Sequence, residues 1–210
     1  MAVTNGDDSH LEQIGLKLVS TYSLGYFPMW SKSYGIQWHY PDPRAIIPFE
    51  NYKPSKSLKP VLNRKEFEIR IDTSFDEVMR QCAKPRHPSD GVWISEEMIQ
   101  VYTEAHKLGF AHSVEAFKQG KLVGGLYGMC IGGVFFGESM FSLESNASKV
   151  AFHYLVQILV KNGFRLLDTQ YINENVERYG AIEIPRTEFL EKLEQAINLD
   201  CRFNWDGEYL

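Results

Sequence analysis

No uninterrupted apolar run in this 210-residue sequence reaches the ~18 residues a membrane-spanning helix needs. The longest apolar stretches are short and broken by glycine, as between Gly124 and Phe136. The first ten residues, MAVTNGDDSH, lack a basic region followed by an apolar one, so they do not read as a secretory signal. Cysteine is scarce: Cys82, Cys130 and Cys201 are far apart and form no C-x-x-C pair. That excludes a disulfide framework and a cysteine-rich zinc site, and it fits reduced thiols in a cytoplasmic protein. The six histidines, His10, His39, His87, His106, His112 and His153, are dispersed, with no H-E-x-x-H. Positive charge is not in excess either, with 22 Lys plus Arg against 27 Asp plus Glu and a net charge of −5. That balance is awkward for nucleic-acid binding, because phosphate contacts supply most non-specific affinity. Any RNA contact would rest on a local patch: Lys53, Lys56, Lys59, Arg64 and Lys65, with Lys84 and Arg86 further on. A solvated basic loop explains the same residues equally well. There are no internal repeats and no low-complexity segments.

What is present is an ordinary globular composition, 44% hydrophobic and 23% charged. The length suits one good-sized domain, or a small one and a medium one. Leu11, Ile14, Leu18 and Tyr22 repeat at helical spacing, and Gly25 can end that helix. Six prolines between Pro28 and Pro60 leave room only for loops and short strands. Phe67, Ile69 and Ile71 alternate as a strand. Thr73 is positioned to cap a helix that buries Phe75, Val78, Met79 and Cys82. Ser95 caps the next helix, which Gly109 ends. Residues 112–117, 122–130 and 134–141 read as an antiparallel meander turning at Gln119-Gly120 and Gly132-Gly133. A helix from about Ala147 to Leu159, a buried strand from Phe164 to Gln170 and a helix from Thr187 to Asn198 complete the chain. Gly124, Gly125 and Gly128 lie inside a strand pattern, so bulges or close packing explain them better than a phosphate loop.

This order predicts an α+β chain whose mixed, largely antiparallel sheet is flanked by helices. It is compatible with the GNAT-like acyltransferase fold. Residues 1–65 are expected as a small N-terminal subdomain, and 66–210 as the catalytic domain.

Seven segments, in order along the chain, resemble the leucyl/phenylalanyl-tRNA–protein transferase family. They are Gly25-Tyr-Phe-Pro28, Tyr40-Pro-Asp-Pro-Arg-Ala45, Gly91-Val-Trp-Ile94, Gly137-Glu-Ser-Met-Phe-Ser142, Asn146-Ala-Ser-Lys149, Asp168-Thr-Gln170 and Gly180-Ala-Ile-Glu-Ile-Pro-Arg186. The fourth and the last are long enough to be specific. Family members usually carry a longer N-terminal segment. They also usually read Phe-Pro-Trp, where this chain has Phe27-Pro28-Met29-Trp30.

The resemblance implies attack of a peptide α-amine on the ester of an aminoacyl-tRNA, with no metal or cofactor. Roughly a tenth of such amines are neutral at pH 7, so the chemistry asks for positioning, a path for one proton and an oxyanion partner. By resemblance, Asp168 draws the proton, or only orients the amine while the tRNA's own hydroxyl relays it, with Gln170 two residues on and on the same strand face; a hydrogen bond from Asp168 to the following loop is the alternative. Glu138 recognises an acceptor N-terminal Arg or Lys, and Asn173 is a polar partner in the same site. An internal ion pair of Glu138 with Arg186 or Lys149 is the alternative. Leu126, Phe135, Met140 and Leu167 are placed in the pocket for a leucyl, phenylalanyl or methionyl side chain. Trp93, with Trp30 and Met29, is expected at the terminal adenosine of the tRNA, and Trp38 is a further candidate there. Arg44 either touches phosphate or pairs within the Asp42 loop. The implied partners are aminoacyl-tRNA and proteins with N-terminal Arg or Lys, acting on a cytoplasmic monomer with no membrane association. Two rivals remain: a coenzyme A-dependent acyltransferase, and a non-catalytic binder of peptides or tRNA ends.

Overall fold

The computed structural model describes residues 7–85 and 94–207, with backbone alone for 7–11. In chain order the elements are α1 (Asp7–Ser23), β1 (Phe27–Ser31), β2 (Gly35–His39), β3 (Arg44–Ile46) and α2 (Lys59–Asn63). Then come β4 (Glu68–Ile71), α3 (Phe75–Cys82), α4 (Glu96–Lys107), β5 (Ala111–Lys118), β6 (Lys121–Ile131) and β7 (Val134–Ser142). The chain closes with α5 (Ala147–Lys161), β8 (Leu166–Gln170), α6 (Glu174–Glu177), β9 (Ile182–Ile184) and α7 (Arg186–Ile197). Seven strands form one sheet in the order β4-β5-β6-β7-β8-β3-β9, while β1 and β2 make a separate hairpin. Every neighbouring pair in the sheet is antiparallel except β7 and β8. The expected mixed, largely antiparallel sheet with flanking helices is what forms.

Each face of the sheet carries its own apolar core. On one face α1, α3, α4 and α7 bring Tyr22, Phe75, Val78, Met79, Tyr102 and Phe189 against Tyr127, Met129 and Phe136. On the other, α5 lays Val150, Phe152, Leu155 and Leu159 over Val114, Leu126, Phe135 and Leu167. Residues 1–65, expected as a subdomain, send β3 into the main sheet between β8 and β9 and pack α1 along α4.

Local chemistry explains the element ends. Gln119 (φ 51°) and Gly120 (φ 74°) both take left-handed backbone, which a two-residue hairpin loop requires. Ser95 Oγ accepts the Met98 N–H at 3.2 Å and caps α4 as expected. Thr73 does not cap α3. Ser74 holds that position without a side-chain bond, and the N-terminus is served from β5 instead. The Glu115 carboxylate accepts the Thr73 and Ser74 N–H groups at 3.2 and 2.8 Å, together with the Thr73 hydroxyl. A carboxylate at a helix N-terminus gains from the helix dipole, so the distant glutamate does the work of a local cap.

One irregularity shapes everything downstream. Gly128 pairs with Gly137 and Tyr127 with Ser139, so Glu138 is an extra residue in β7. A side chain at Gly128 would sit 2.3 Å from the Phe136 carbonyl and 2.5 Å from the Phe135 ring. Glycine is therefore obligatory opposite this bulge. Gly124 is similarly closed off by Ala147 at the start of α5. Both glycines answer to close packing.

Candidate active site

The parallel ladder between β7 and β8 is short. Val134, Phe135 and Phe136 pair with Leu166, Leu167 and Asp168, and the pairing stops there. Beyond that point the strands diverge, and β7 runs on to Ser142. A cavity of about 380 Å³ fills the wedge. It reaches both faces of the sheet. Leu126, Met140, Phe152, Leu155 and Leu167 form an apolar lobe under α5, and Tyr127, Glu138, Ser139 and Gln170 form a polar lobe on the opposite face. A second cavity, of about 560 Å³, continues along β7 and shares Lys84, Pro85, Met140 and Asn175 with the first.

The bulge builds the polar lobe. Strict alternation would send Glu138 and Ser139 to opposite faces. With one extra residue in β7, both face α1 and α4. Glu138 Oε1 accepts the Tyr22 hydroxyl at 2.6 Å and Gln170 Nε2 at 3.1 Å, and Oε2 accepts the Tyr102 hydroxyl at 3.2 Å. Burial pushes the Glu138 carboxyl up to about 7, and the negative Asp168 adds to the rise. The two tyrosine donors and the Arg44 charge pull the other way without cancelling burial. Burial also drives Tyr22, Tyr102 and Tyr127 well above the usual phenol range, so all three are neutral hydroxyls.

Asp168 has a different environment. Its side chain is fully buried and does not line the cavity. Arg44 Nε and Nη2 meet its two oxygens at 2.8 and 2.6 Å, a bidentate pair. Arg44 Nη1 donates to the Gly25 carbonyl at 2.9 Å, and its guanidinium lies against the rings of Phe27 and Phe189. Asp168 Oδ1 also accepts the Gln170 N–H at 3.0 Å, where Gln170 has left-handed backbone (φ 60°). The carboxylate thus pins the strained residue whose side chain enters the polar lobe.

Several sequence expectations change. Arg44 does not pair within the Asp42 loop and is not at the surface, because β3 inserts it beside β8 as the buried partner of Asp168. Glu138 forms no ion pair with Arg186 or Lys149. Arg186 donates to the Tyr40 carbonyl and covers the Tyr40 ring, while Lys149 reaches Asn146. Phe135 is fully buried and stacks near Phe203. It sits where β7 and β8 are still paired, below the point at which the wedge opens. Leu126, Met140 and Leu167 line the cavity. Asn173 also lines it, while its Oδ1 caps α6 by accepting the N–H groups of Asn175 and Val176 at 3.0 and 3.3 Å. Met29 and Trp30 are half-buried in the β1–β2 hairpin, outside both cavities. Trp93 and Arg86 lie outside the described residues. Tyr22, Tyr102, Tyr127, Ser139, Phe152 and Leu155 are cavity or network residues that sequence reasoning did not single out. At helical spacing, Tyr22 and Tyr102 look like ordinary core.

The residues that a coenzyme A site would use are engaged internally. The first N–H groups of α5 are bonded to the Glu144 carbonyl (Ala147, 3.2 Å) and to Ser142 Oγ (Ser148, 3.2 Å). Among the described residues no group of three His, Cys, Asp or Glu side chains could hold a metal ion. No described helix is long and apolar enough to cross a membrane.

The family model described as leucyl/phenylalanyl-tRNA protein transferase matches residues 46–194. A leucyl/phenylalanyl-tRNA–protein transferase of Chlorobaculum tepidum is 45% identical over 89% of this chain and 96% of its own. That of Chlorobaculum parvum is 48% identical over 86% of this chain and 93% of its own. That of Nitrosospira multiformis is 47% identical over 87% and 78%. The match runs from the last residue of β3 into α7 and takes in both walls of the wedge. This chain belongs to the leucyl/phenylalanyl-tRNA–protein transferase family and is an aminoacyltransferase that works on aminoacyl-tRNA and protein.

Proposed function

We propose that the enzyme moves Leu, Phe or Met from aminoacyl-tRNA to the α-amine of proteins beginning with Arg or Lys. The single observation that supports this most is the two-sided cavity. One lobe is a hydrocarbon surface adaptable enough, through Met140, to take any of three bulky side chains. The other presents a carboxylate to a cation. Between them the diverging strands leave room for an ester and an amine to meet.

In this reading Leu126, Met140 and Leu167, with Phe152 and Leu155, receive the aminoacyl side chain. Glu138 receives the acceptor's cationic side chain, with Asn173 at the rim. Gln170 touches the reacting amine. Its Nε2 is turned toward Glu138, which leaves its Oε1 as an acceptor for an amine N–H. Asp168 has both oxygens engaged and acts through Gln170, so it is a positioning residue. The proton leaves the attacking nitrogen through a hydroxyl of the tRNA's own ribose and ends on the departing 3′ oxygen. The terminal adenosine is assigned to Trp93, Trp30 and Met29. The new Leu or Phe at the N-terminus marks the product for degradation. The proposed setting is the cytoplasm, and the proposed working form is the monomer, with residues 1–65 and 66–210 as its two parts and a GNAT-like fold in the second.

The test is incubation of the enzyme with radiolabelled Leu-tRNA and peptides beginning with Arg, Lys, Asp or Ala. Label on the Arg and Lys peptides alone is expected. Label on none, or on all four equally, contradicts the proposal.

A further inference from the structure

Four buried side-chain polar atoms among the described residues lack a hydrogen-bond partner. Two of them, Tyr127 OH and Ser139 Oγ, belong to residues that line the cavity. They come from directly paired positions of β6 and β7, so they share a face, and the bulge sets Glu138 beside them. Tyr127 is fully buried, with its ring held edge-on by Phe75 and Tyr102. A hydroxyl removed from water without a partner is unfavourable, and native structures rarely keep one for no purpose.

Counting lone pairs shows what these hydroxyls are for. An ionised carboxylate offers about four acceptor sites, two on each oxygen. Tyr22 and Gln170 meet Glu138 Oε1 and Tyr102 meets Oε2, while the two tyrosine hydroxyls also bond each other. At least one acceptor site on the carboxylate therefore remains free. A guanidinium brings five N–H donors and an ammonium three. Glu138 alone supplies the countercharge but cannot satisfy either cation.

We propose that the hydroxyls of Tyr127 and Ser139 are the additional acceptors that, with the free site on Glu138, hold the cationic side chain of the acceptor's first residue. This rests on the transferase reading and adds two specificity-determining residues to it. Binding of the cation gives both hydroxyls a charged partner within the protein's own cleft.

The experiment is calorimetric titration of Tyr127→Phe and Ser139→Ala with an Arg-initiated peptide, without tRNA, alongside thermal melts. Each variant is expected to weaken binding about tenfold, the loss of one hydrogen bond to a charged group. Tyr127→Phe is expected to melt at or above the wild-type temperature, because the orphan hydroxyl is gone. If both variants bind the peptide within twofold of wild type, the inference is overturned. It is equally overturned if Tyr127→Phe melts several degrees lower, since that hydroxyl then has a partner within the fold. Binding is read without turnover, so an enzyme that grips the peptide but labels nothing refutes the transferase reading and leaves this one standing.

Discussion

Glu138 and Asp168 lie on neighbouring strands and face the same side of the sheet, yet they occupy opposite situations. Asp168 is sealed: a guanidinium satisfies both of its oxygens and it lines neither of the two cavities. Glu138 is open: its hydrogen-bond partners are neutral hydroxyls and an amide, it forms no ion pair among the described residues, and it borders the cleft. The difference arises from two backbone events. Insertion of β3 beside β8 delivers Arg44 to Asp168. The extra residue in β7 turns Glu138 and Ser139 together into the space opened by the diverging strands. In the proposed function the carboxylate with a countercharge organises the site, and the one that borders the cleft meets the ligand.

The sharpest way to break this comparison is to remove the sealed carboxylate. Asp168→Ala leaves Arg44 buried without a countercharge, and loss of about 3–5 kcal/mol of stability is expected by denaturant melts. Activity falls with it as Gln170 loses its anchor. A double variant, Arg44→Met with Asp168→Leu, is expected to regain most of the stability but not the turnover. If single Asp168→Ala kept both, Asp168 would have no positioning role.

Glu138 is expected to behave in the opposite way. Its folded carboxyl titrates near 7, above the ordinary value of 4.5, so the folded state holds the proton more tightly than the unfolded one. The stability this confers is fully present below pH 4.5 and disappears as pH rises through 7. Glu138→Gln is therefore expected to match wild type in melts at pH 4.5. At pH 8 it should be more stable, by on the order of 3 kcal/mol. A Glu138→Gln variant less stable at pH 8 would show that the carboxylate is structural, like Asp168.

In binding, Glu138→Gln is expected to weaken an Arg-initiated peptide by about 10- to 100-fold and an Ala-initiated one hardly at all, read by calorimetry. The smallest effect belongs to the apolar lobe. Met140→Ala enlarges it, and the ratio of Phe to Leu transfer should rise about tenfold, since hydrocarbon pockets discriminate by only ~1–3 kcal/mol. An unchanged ratio would place the aminoacyl side chain elsewhere.

How much of this was legible in the sequence follows the range of the interactions. Spacing alone located α3, with Phe75, Val78, Met79 and Cys82 all buried, and the β5–β7 meander with its Gln119-Gly120 turn. These depend on neighbours in sequence. The β7 bulge was not legible, because an extra residue in one strand is defined only by the register of its partner. Nor was the Arg44–Asp168 pair, whose members are 124 positions apart and meet through a three-residue strand in a proline-rich stretch. Tyr22 and Tyr102 are both core. Their ring positions follow the helical period, but the meeting of their hydroxyls on Glu138 is a tertiary fact. Leu126, Met140 and Leu167 came from family resemblance, since apolar residues lining a cavity carry no mark in the pattern that separates them from those filling a core.

The division of labour between the two carboxylates is tested most directly by titrating the enzyme with an Arg-initiated peptide at pH 6, in two buffers of different ionisation enthalpy. Glu138 is mostly protonated at that pH and must ionise to hold a cation. Binding is therefore expected to release about one proton, and the release should vanish in Glu138→Gln. Binding that exchanges no proton, or that exchanges the same number in the variant, would contradict the account.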